Sequence, residues 1–416
     1  VAADLDSSPL AYRVSSFMSD GKPRFIVQRR DTLEPSKVLS VYEQYLTHRT
    51  DSHNSVKTRL GQLLYVFTWA IIENIDLEEL ILRGEFLSAV DVRRFAHWLE
   101  SRGKSNGKEI IPFAISGYNG ILMHASCMMD YFARHHGIGL SPSISVVERE
   151  SIISLQKKLF SDVKKKDRKF KCAPDLTEEQ IYTIDQYLRP ENRKDVSPEL
   201  ATRDFLFWRL SIEFGLRDGE ILALRLCDCP HKDQDYIKIV RIEERGPKYR
   251  DPRGAKAPRP KTLSRDLGFL FVSPIPNLIG EYTNEHRFKL VNRGEKRSKQ
   301  FFVGHEFLIV NHHRTPGNAL SISGSQAIAQ QISKNTGIPF HWHLSRHAFF
   351  NRAYEAVIDI QNKEEKKAKL MDLVYWGGWA DEKSLQIYTN RSRQSRAQQA
   401  LKLWQSGGNK WASLGL

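Results

Sequence analysis

The sequence predicts a chain in two parts: an α-helical bundle over residues 35–160, then a mixed, mainly α, α+β domain over residues 174–390. Three observations carry this. Apolar residues recur at helical spacing through the first stretch. A dense basic run, Lys164-Lys165-Lys166-Asp167-Arg168-Lys169-Phe170-Lys171, then breaks that periodicity and reads as an exposed linker over 161–173. Beyond it, helical segments surround one stretch, Tyr236–Ile242, that alternates with the period-two pattern of a strand.

Taken in order, residues 1–34 read as an N-terminal appendage with one strand, Pro23 to Arg30. Val38, Val41, Tyr42 and Tyr45 mark a first helix, and Leu60, Leu63, Leu64, Phe67 and Ile71 a second. Asp91 to Leu99 forms another, and Tyr118 opens one that runs to Arg134. Helices of this number and length build a small bundle. Ser141-Pro142-Ser143 punctuates its end, and a further helix continues through Leu155 and Leu159. In the second domain, Thr177-Glu178-Glu179-Gln180 is a capping box that starts a helix. The helix from Asp204 stops at Gly215. After the strand comes a basic loop carrying Lys248, Arg250, Arg253, Lys256 and Arg259, a backbone-contacting surface for a polyanion. Gly304–Val310 reads as a short strand, and helices come next at 324–332, 343–357 and 364–370. Gly377 and Gly378 end a helix and turn the chain sharply. Ser384 to Tyr388 forms a short helical turn. Residues 391–416 form a tail helix whose stripe of Ala397, Ala400, Leu401 and Trp404 seeks a partner groove.

The 416 residues suffice for two or three domains with a sizeable core. The net charge of +14 suits a polyanionic partner, nucleic acid first and an anionic membrane surface second. No apolar run reaches the roughly 18 residues of a membrane span. Val1-Ala2-Ala3-Asp4 lacks the basic-then-apolar pattern of a signal peptide. Four cysteines, Cys127, Cys172, Cys227 and Cys229, argue for a reducing compartment without a disulfide framework. The expected setting is cytoplasmic and DNA-associated. Cys227-Asp228-Cys229-Pro230-His231 has a one-residue gap unlike zinc spacing and lacks a second pair, so it reads as a strand entrance. Asp218 and Glu220 diverge on a helix. Neither a metal nor a cofactor is expected.

Three segments carry a more specific signal. The first is Phe214-Gly215-Leu216-Arg217-Asp218-Gly219-Glu220, the second His343-Leu344-Ser345-Arg346-His347, and the third Gly377-Gly378-Trp379 with Tyr388 nine positions after the tryptophan. An arginine, then His-x-x-Arg, then a Gly-Trp turn with a tyrosine beyond it, in that order, resembles the tyrosine recombinase (integrase) family. The match spans residues 174–390. One departure is Ser345, where the family usually reads His-x-Leu-Arg-His.

The resemblance implies that residues 35–160 are a core-binding domain clamping double-stranded DNA and that 174–390 is the catalytic domain. Tyr388 is then the nucleophile that conserves phosphodiester bond energy in a 3′-phosphotyrosine. A phenol with a pKa of about 10 needs a cationic pocket, and Arg217 and Arg346 would hold the phosphorane oxygens with forked, permanently charged donors. Lys261, in Lys261-Thr262-Leu263-Ser264-Arg265, would protonate the leaving 5′ oxygen, with Lys256 competing for that role. His343, one turn before Arg346, would assist proton transfer or hold the phosphate. Trp379 stands where many relatives have histidine; it can donate one hydrogen bond but shuttles no protons, so it reads as hydrogen-bonding and packing support. Glu220 would orient its neighbours. His341 and His347 read as structural or as backbone contacts. Lys164, Lys165, Lys166, Arg168 and Lys169 would lie along phosphates. The implied activity is integration or excision of a mobile, bacterial-type element by a homo-tetramer on DNA, the tail helix docking on the neighbouring protomer, with a DNA-bending accessory protein as a further partner. A type IB topoisomerase or telomere resolvase shares this chemistry, and a non-catalytic DNA-binding relative shares the fold.

Overall fold

Of the apolar positions that recur along residues 38–72, Val38, Tyr42, Leu60, Leu63, Leu64 and Phe67 are buried, and Val41, Tyr45 and Ile71 are partly buried against them. The computed structural model describes residues 10–19, 22–49, 53–105, 110–136, 145–166, 174–231, 234–246, 248–269, 273–290, 299–313 and 315–407. The chain divides into two units, Val1–Lys169 and Phe170–Leu416. The first contains β1 (Tyr12–Ser19), β2 (Lys22–Arg29), α1 (Lys37–Arg49), α2 (His53–Ile72), α3 (Leu77–Leu82), α4 (Ala89–Glu100), β3 (Gly103–Ser105), β4 (Ile110–Pro112), α5 (Ile115–His135) and α6 (Val146–Asp162). Its core joins Val38, Leu39 and Tyr42 of α1 to Leu60, Leu63 and Phe67 of α2, Phe95 of α4 and Phe132 of α5.

Two expectations change here. Residues 1–34 contribute an antiparallel hairpin rather than a lone strand, and the hairpin is no appendage: Tyr12, Phe25 and Val27 enter the same core. Buried Glu43 on α1 fastens it, accepting from Arg24 at 2.9 and 2.7 Å and from the Phe25 amide at 3.2 Å. The basic run is only partly a linker. Lys165 is clasped through its backbone by Asn119 at 2.9 and 2.7 Å, pairs with Glu100 at 3.0 Å, and lies over the Tyr118 ring.

The second unit contains α7 (Glu178–Leu188), α8 (Pro198–Phe214), α9 (Asp218–Ala223), β5 (Tyr236–Ile239), β6 (Arg265–Gly268), α10 (Ile275–Glu281), β7 (Lys289–Leu290), β8 (Lys299–Gln300), α11 (Ile322–Thr336), α12 (Trp342–Ile358), α13 (Lys363–Gly377) and α14 (Gln386–Gly407). Thr177 and Gln180 form the expected capping box. α8 begins with Pro198 in its first turn and stops at Gly215, whose φ of 61° is left-handed. β5 and β6 pair antiparallel with Ile239 opposite Arg265. Residues 304–310 do not form the expected strand; only isolated bridges link Phe307 to Arg225 and Val310 to Ala319. The reason is local: Arg287 donates to the carbonyls of His305, Phe307 and Leu308, which takes acceptors that a neighbouring strand would need. Nor is Tyr388 on a separate short turn. A single 3₁₀ turn at Glu382–Leu385 leads into α14, which carries Tyr388 in its first turn and continues into the tail without a break. Among the described residues, no helix is long and apolar enough to cross a membrane.

Candidate active site

The site is assembled around a buried carboxylate. Glu220, on the first turn of α9, is 1% exposed. One of its oxygens accepts the Arg217 amide at 2.8 Å; the other accepts the Thr262 hydroxyl and Arg265 Nη1, the latter at 3.0 Å. Burial alone raises a carboxyl pKa, but Arg265, Arg346 and Arg217 overcome it and hold Glu220 down at about 2. Glu220 thus fixes the directions of the groups around it.

Arg346 rises from the buried face of α12 and is 1% exposed. Its Nη1 donates to the Gly215 carbonyl at 2.6 Å and its Nη2 to the Gly377 carbonyl at 2.9 Å. Glu220 stands 3.8 Å away. Both glycine-rich turns thus present acceptors to one guanidinium. At Gly215 a Cβ would lie 2.6 Å from Phe349, and at Gly378, with φ of 60°, it would lie 2.6 Å from Arg265, so neither turn tolerates a side chain. Burial, then repulsion from Arg217, pushes the Arg346 pKa down to about 9. Arg217 precedes α9, more open than Arg346; its Nη1 is buried and has no hydrogen-bond partner. Burial lowers its pKa, while Glu220 opposes the change.

Tyr388 is 2% exposed, with its ring among His347 and Phe350, both at 5.7 Å, and Trp379 at 5.8 Å. Burial raises its pKa, and Arg346 and Arg217 pull the other way, which places both guanidiniums within electrostatic reach of the phenol. His343 faces His347 one turn on, with ring centroids 4.4 Å apart. Desolvation, then Arg217 and Arg346, pushes His343 down to about 4. His347 is also pushed down to about 4, by burial and then by His343, and its Nδ1 has no partner. Trp379 supplies packing support: its ring lies 5.1 Å from the Arg346 guanidinium, a cation–π contact, and 4.6 Å from the Phe350 ring, while its indole makes no hydrogen bond among the described residues. Ser345 is fully buried and bridges helices, meeting the Ser211 hydroxyl of α8 and donating to the Trp342 carbonyl at 2.6 Å. The departure from leucine thus has a local polar reason.

Lys261 is exposed, and its chain neighbours reach the site: Thr262 bonds Glu220, and the Leu263 amide donates to the Gly378 carbonyl at 2.9 Å. Arg217, Glu220, His343, Arg346, Trp379 and Tyr388, drawn from four separate segments, are thereby brought together with the backbone of Lys261 at the edge.

The sequence matches no protein-family model and no curated protein. Solved structures do match. One is the XerH site-specific recombinase bound to palindromic difH substrate in a post-cleavage complex, at 15% identity and a TM-score of 0.50 over 84% of this chain and 80% of that one. Another is the Tn1549 transposon integrase in complex with circular intermediate DNA, at 14% identity and 0.50 over 84% of this chain and 94% of that one. This chain has the tyrosine recombinase fold.

Against that recombinase fold, the predicted DNA-contacting residues separate into groups. Lys164, Lys166, Lys248, Arg250 and Lys256 are exposed. Arg253 is not: its guanidinium is forked onto Asp251 at 2.9 Å to each oxygen, donates to the Leu222 and Leu320 carbonyls, and covers the Phe307 ring. It is a scaffold residue; Lys165 is exposed but paired with Glu100 and laid over Tyr118. Arg259 is partly buried, which lowers its pKa, and stands 3.9 Å from Glu243. Arg168 and Lys169 lie outside the described residues. In the Cys227–His231 stretch, the Cys229 thiol and the His231 ring face backbone carbonyls and Asp228 pairs with Arg245. Sequence reading missed Arg265 in this recombinase fold, a buried cation bonded to Glu220. Its only signal was a charged residue at an inward position of an alternating strand, opposite apolar Ile239.

Proposed function

We propose that this chain is a site-specific DNA recombinase that cuts and rejoins strands through a covalent 3′-phosphotyrosine, integrating or excising a DNA element without metal or nucleotide. One observation carries the reading. Three guanidiniums, from Arg217, Arg265 and Arg346, share the single carboxylate of Glu220 beside a buried tyrosine. The surplus positive charge sits where water is scarce, so an anion is stabilised strongly there. A phosphodiester supplies that anion.

In this reading the reaction begins with the phosphate seated among the guanidiniums. The non-bridging oxygens take the free Arg217 donor and the Arg346 edge, and gain charge as the phosphorane forms. Tyr388 Oη forms the new P–O bond, and the phenolic proton leaves to a neutral imidazole of the His343–His347 pair or to water. The 5′ oxygen departs with its electron pair and takes a proton from Lys261. Attack by a 5′ hydroxyl from another strand reverses each transfer and frees Tyr388. Residues 35–160 act as the DNA clamp in this reading. Ala397, Ala400 and Leu401 are exposed on α14, and this unpartnered face supports docking on a neighbouring protomer in a tetramer.

The test is a nicked suicide duplex made from the DNA flanking the encoding gene. The wild type should become covalently attached to the 3′ end, and Tyr388→Phe should form no adduct. Efficient relaxation of plasmid lacking that flanking sequence would favour the topoisomerase reading instead. Absence of any adduct on the flanking duplexes would leave a DNA-binding protein.

A further inference from the structure

We propose that Arg265 is a positioning residue for Lys261, acting through Thr262, Leu263 and the turn at Gly377–Trp379; the inference rests on strand cleavage by Tyr388. Lys261 itself makes no hydrogen bond or ion pair among the described residues, so its place is set by the two residues after it. Thr262 is buried and its hydroxyl bonds Glu220. The Leu263 amide bonds the Gly378 carbonyl at 2.9 Å. Both attachments converge on Arg265. Its Nε donates to the Trp376 carbonyl at 2.6 Å, and its Nη1 reaches Glu220 at 3.0 Å, Thr262 Oγ1 at 3.0 Å and the Leu263 carbonyl at 3.2 Å.

One planar fork thus ties three parts together: the segment carrying Lys261, the carboxylate that holds Arg217, and the end of α13 that carries the turn. The side chain is 1% exposed, and its Nε and Nη1 are taken up by protein acceptors. Its register is fixed as well, because β6 pairs with β5 at Ile239. A guanidinium directs its donors in fixed, coplanar directions, which an ammonium does not. Gly378 is required in the same place, since any Cβ there would meet Arg265 Nη1 at 2.6 Å and Thr262 at 2.7 Å.

The chemistry of the leaving group separates placement of Lys261 from binding of the phosphate. Lys261 protonates the departing oxygen, so a defect confined to Lys261 placement should vanish when the leaving group needs no proton. A duplex with sulfur in the bridging 5′ position meets that condition. Tyr388 Oη forms the P–O bond, the P–S bond breaks, and the thiolate leaves with its electron pair. A defect in phosphate binding by Arg217 or Arg346 would persist with either leaving group.

Single-turnover cleavage is to be measured on paired oxygen and sulfur duplexes with the wild type, Lys261→Ala, Arg265→Gln, Arg265→Lys and Thr262→Val. Lys261→Ala should lose about 100-fold or more on oxygen and return to within about 10-fold of wild type on sulfur. Arg265→Gln should show the same rescue, Arg265→Lys an intermediate loss, and Thr262→Val a smaller loss that sulfur also restores. Equal loss on both duplexes, or no loss on either, for the Arg265 and Thr262 variants overturns the inference while leaving the strand-cleavage reading intact. If Arg265→Gln fails to fold by circular dichroism, Thr262→Val alone decides, because it removes one hydroxyl at nearly constant shape. A wild type that forms no Tyr388-dependent adduct on either duplex refutes the underlying reading itself.

Discussion

Arg253 and Arg346 are both buried cations of the second unit, one in the basic loop at 248–259 and the other beneath Tyr388. Arg253 faces a carboxylate of its own, Asp251, with both oxygens engaged and both side chains 6% exposed. Its charge is cancelled where it stands. Arg346 is held by two backbone carbonyls, and the nearest carboxylate, Glu220, is 3.8 Å away and serves two other arginines. Carbonyl dipoles orient a guanidinium without neutralising it. The first arrangement builds a loop, and the second leaves charge in reserve for a ligand. Counting arginines in a sequence does not separate the two; counting the carboxylates each must share does.

The sharpest break of this comparison is at Arg346. Arg346→Ala should slow formation of the covalent adduct by roughly 10³-fold or more, the scale of an arginine that stabilises a transferring phosphoryl group. Arg253→Ala should leave cleavage per folded molecule unchanged, yet destabilise the protein by about 3–5 kcal/mol because Asp251 stays buried without its partner. Thermal melts and adduct kinetics on both variants check the pair. If Arg253→Ala cuts catalysis while the melting temperature holds, the distinction between scaffold and site is wrong.

The same contrast explains what the sequence could disclose. Helices that bury one face were legible because their period is local: α1, α2 and α8 lie where apolar spacing and a capping glycine put them. The clustering of Arg217, His343, Arg346 and Tyr388 was legible in their order and spacing. Arg265 was not, because its role depends on partners at positions 220 and 376, which no local pattern encodes. Arg253 was misread for the same reason, since a basic loop shows its charge in sequence but hides Asp251 folding back on it. The strand expected at 304–310 failed because Arg287, some twenty positions earlier, occupies its carbonyls. The hairpin at 12–29 joined the first core through Glu43, a charged residue that periodicity treats as surface.

Acid should weaken the site in two stages, the first shared with desolvated histidines elsewhere. His343 and His347 are held neutral with pKa values near 4, and an unfolded histidine titrates near 6.5. Above about pH 6.5 neither state takes a proton, and the stability from these groups is complete. As pH falls toward 4 the unfolded chain binds protons that the folded one refuses, so stability is lost through that window. Glu220 acts lower down: its pKa of about 2 adds stability that is full above about 4.3 and disappears as pH falls toward 2. Melting temperature should therefore decline in two stages, and His347→Asn should flatten the upper stage only. His124 and His312, pushed to about 4 and about 3, keep part of that stage in the variant.

The smallest effect expected is at Lys256, and it decides which lysine serves the leaving group. Lys256 ends the 3₁₀ turn Gly254–Lys256, next to an Arg253 that is tied to the Leu222 and Leu320 carbonyls, and its side chain is exposed. Among the described residues, no hydrogen bond connects its immediate neighbours to Glu220 or to the Gly377–Trp379 turn. The two residues directly after Lys261 make those bonds. Lys256→Ala should accordingly reduce the salt dependence of DNA binding by about one phosphate contact, with cleavage of the saturated complex unaffected on oxygen and sulfur duplexes alike. A loss on oxygen that sulfur restores would transfer the proton-donor role to Lys256 and would detach Arg265 from it, because the Arg265 fork holds the Lys261 segment and does not reach the turn that carries Lys256.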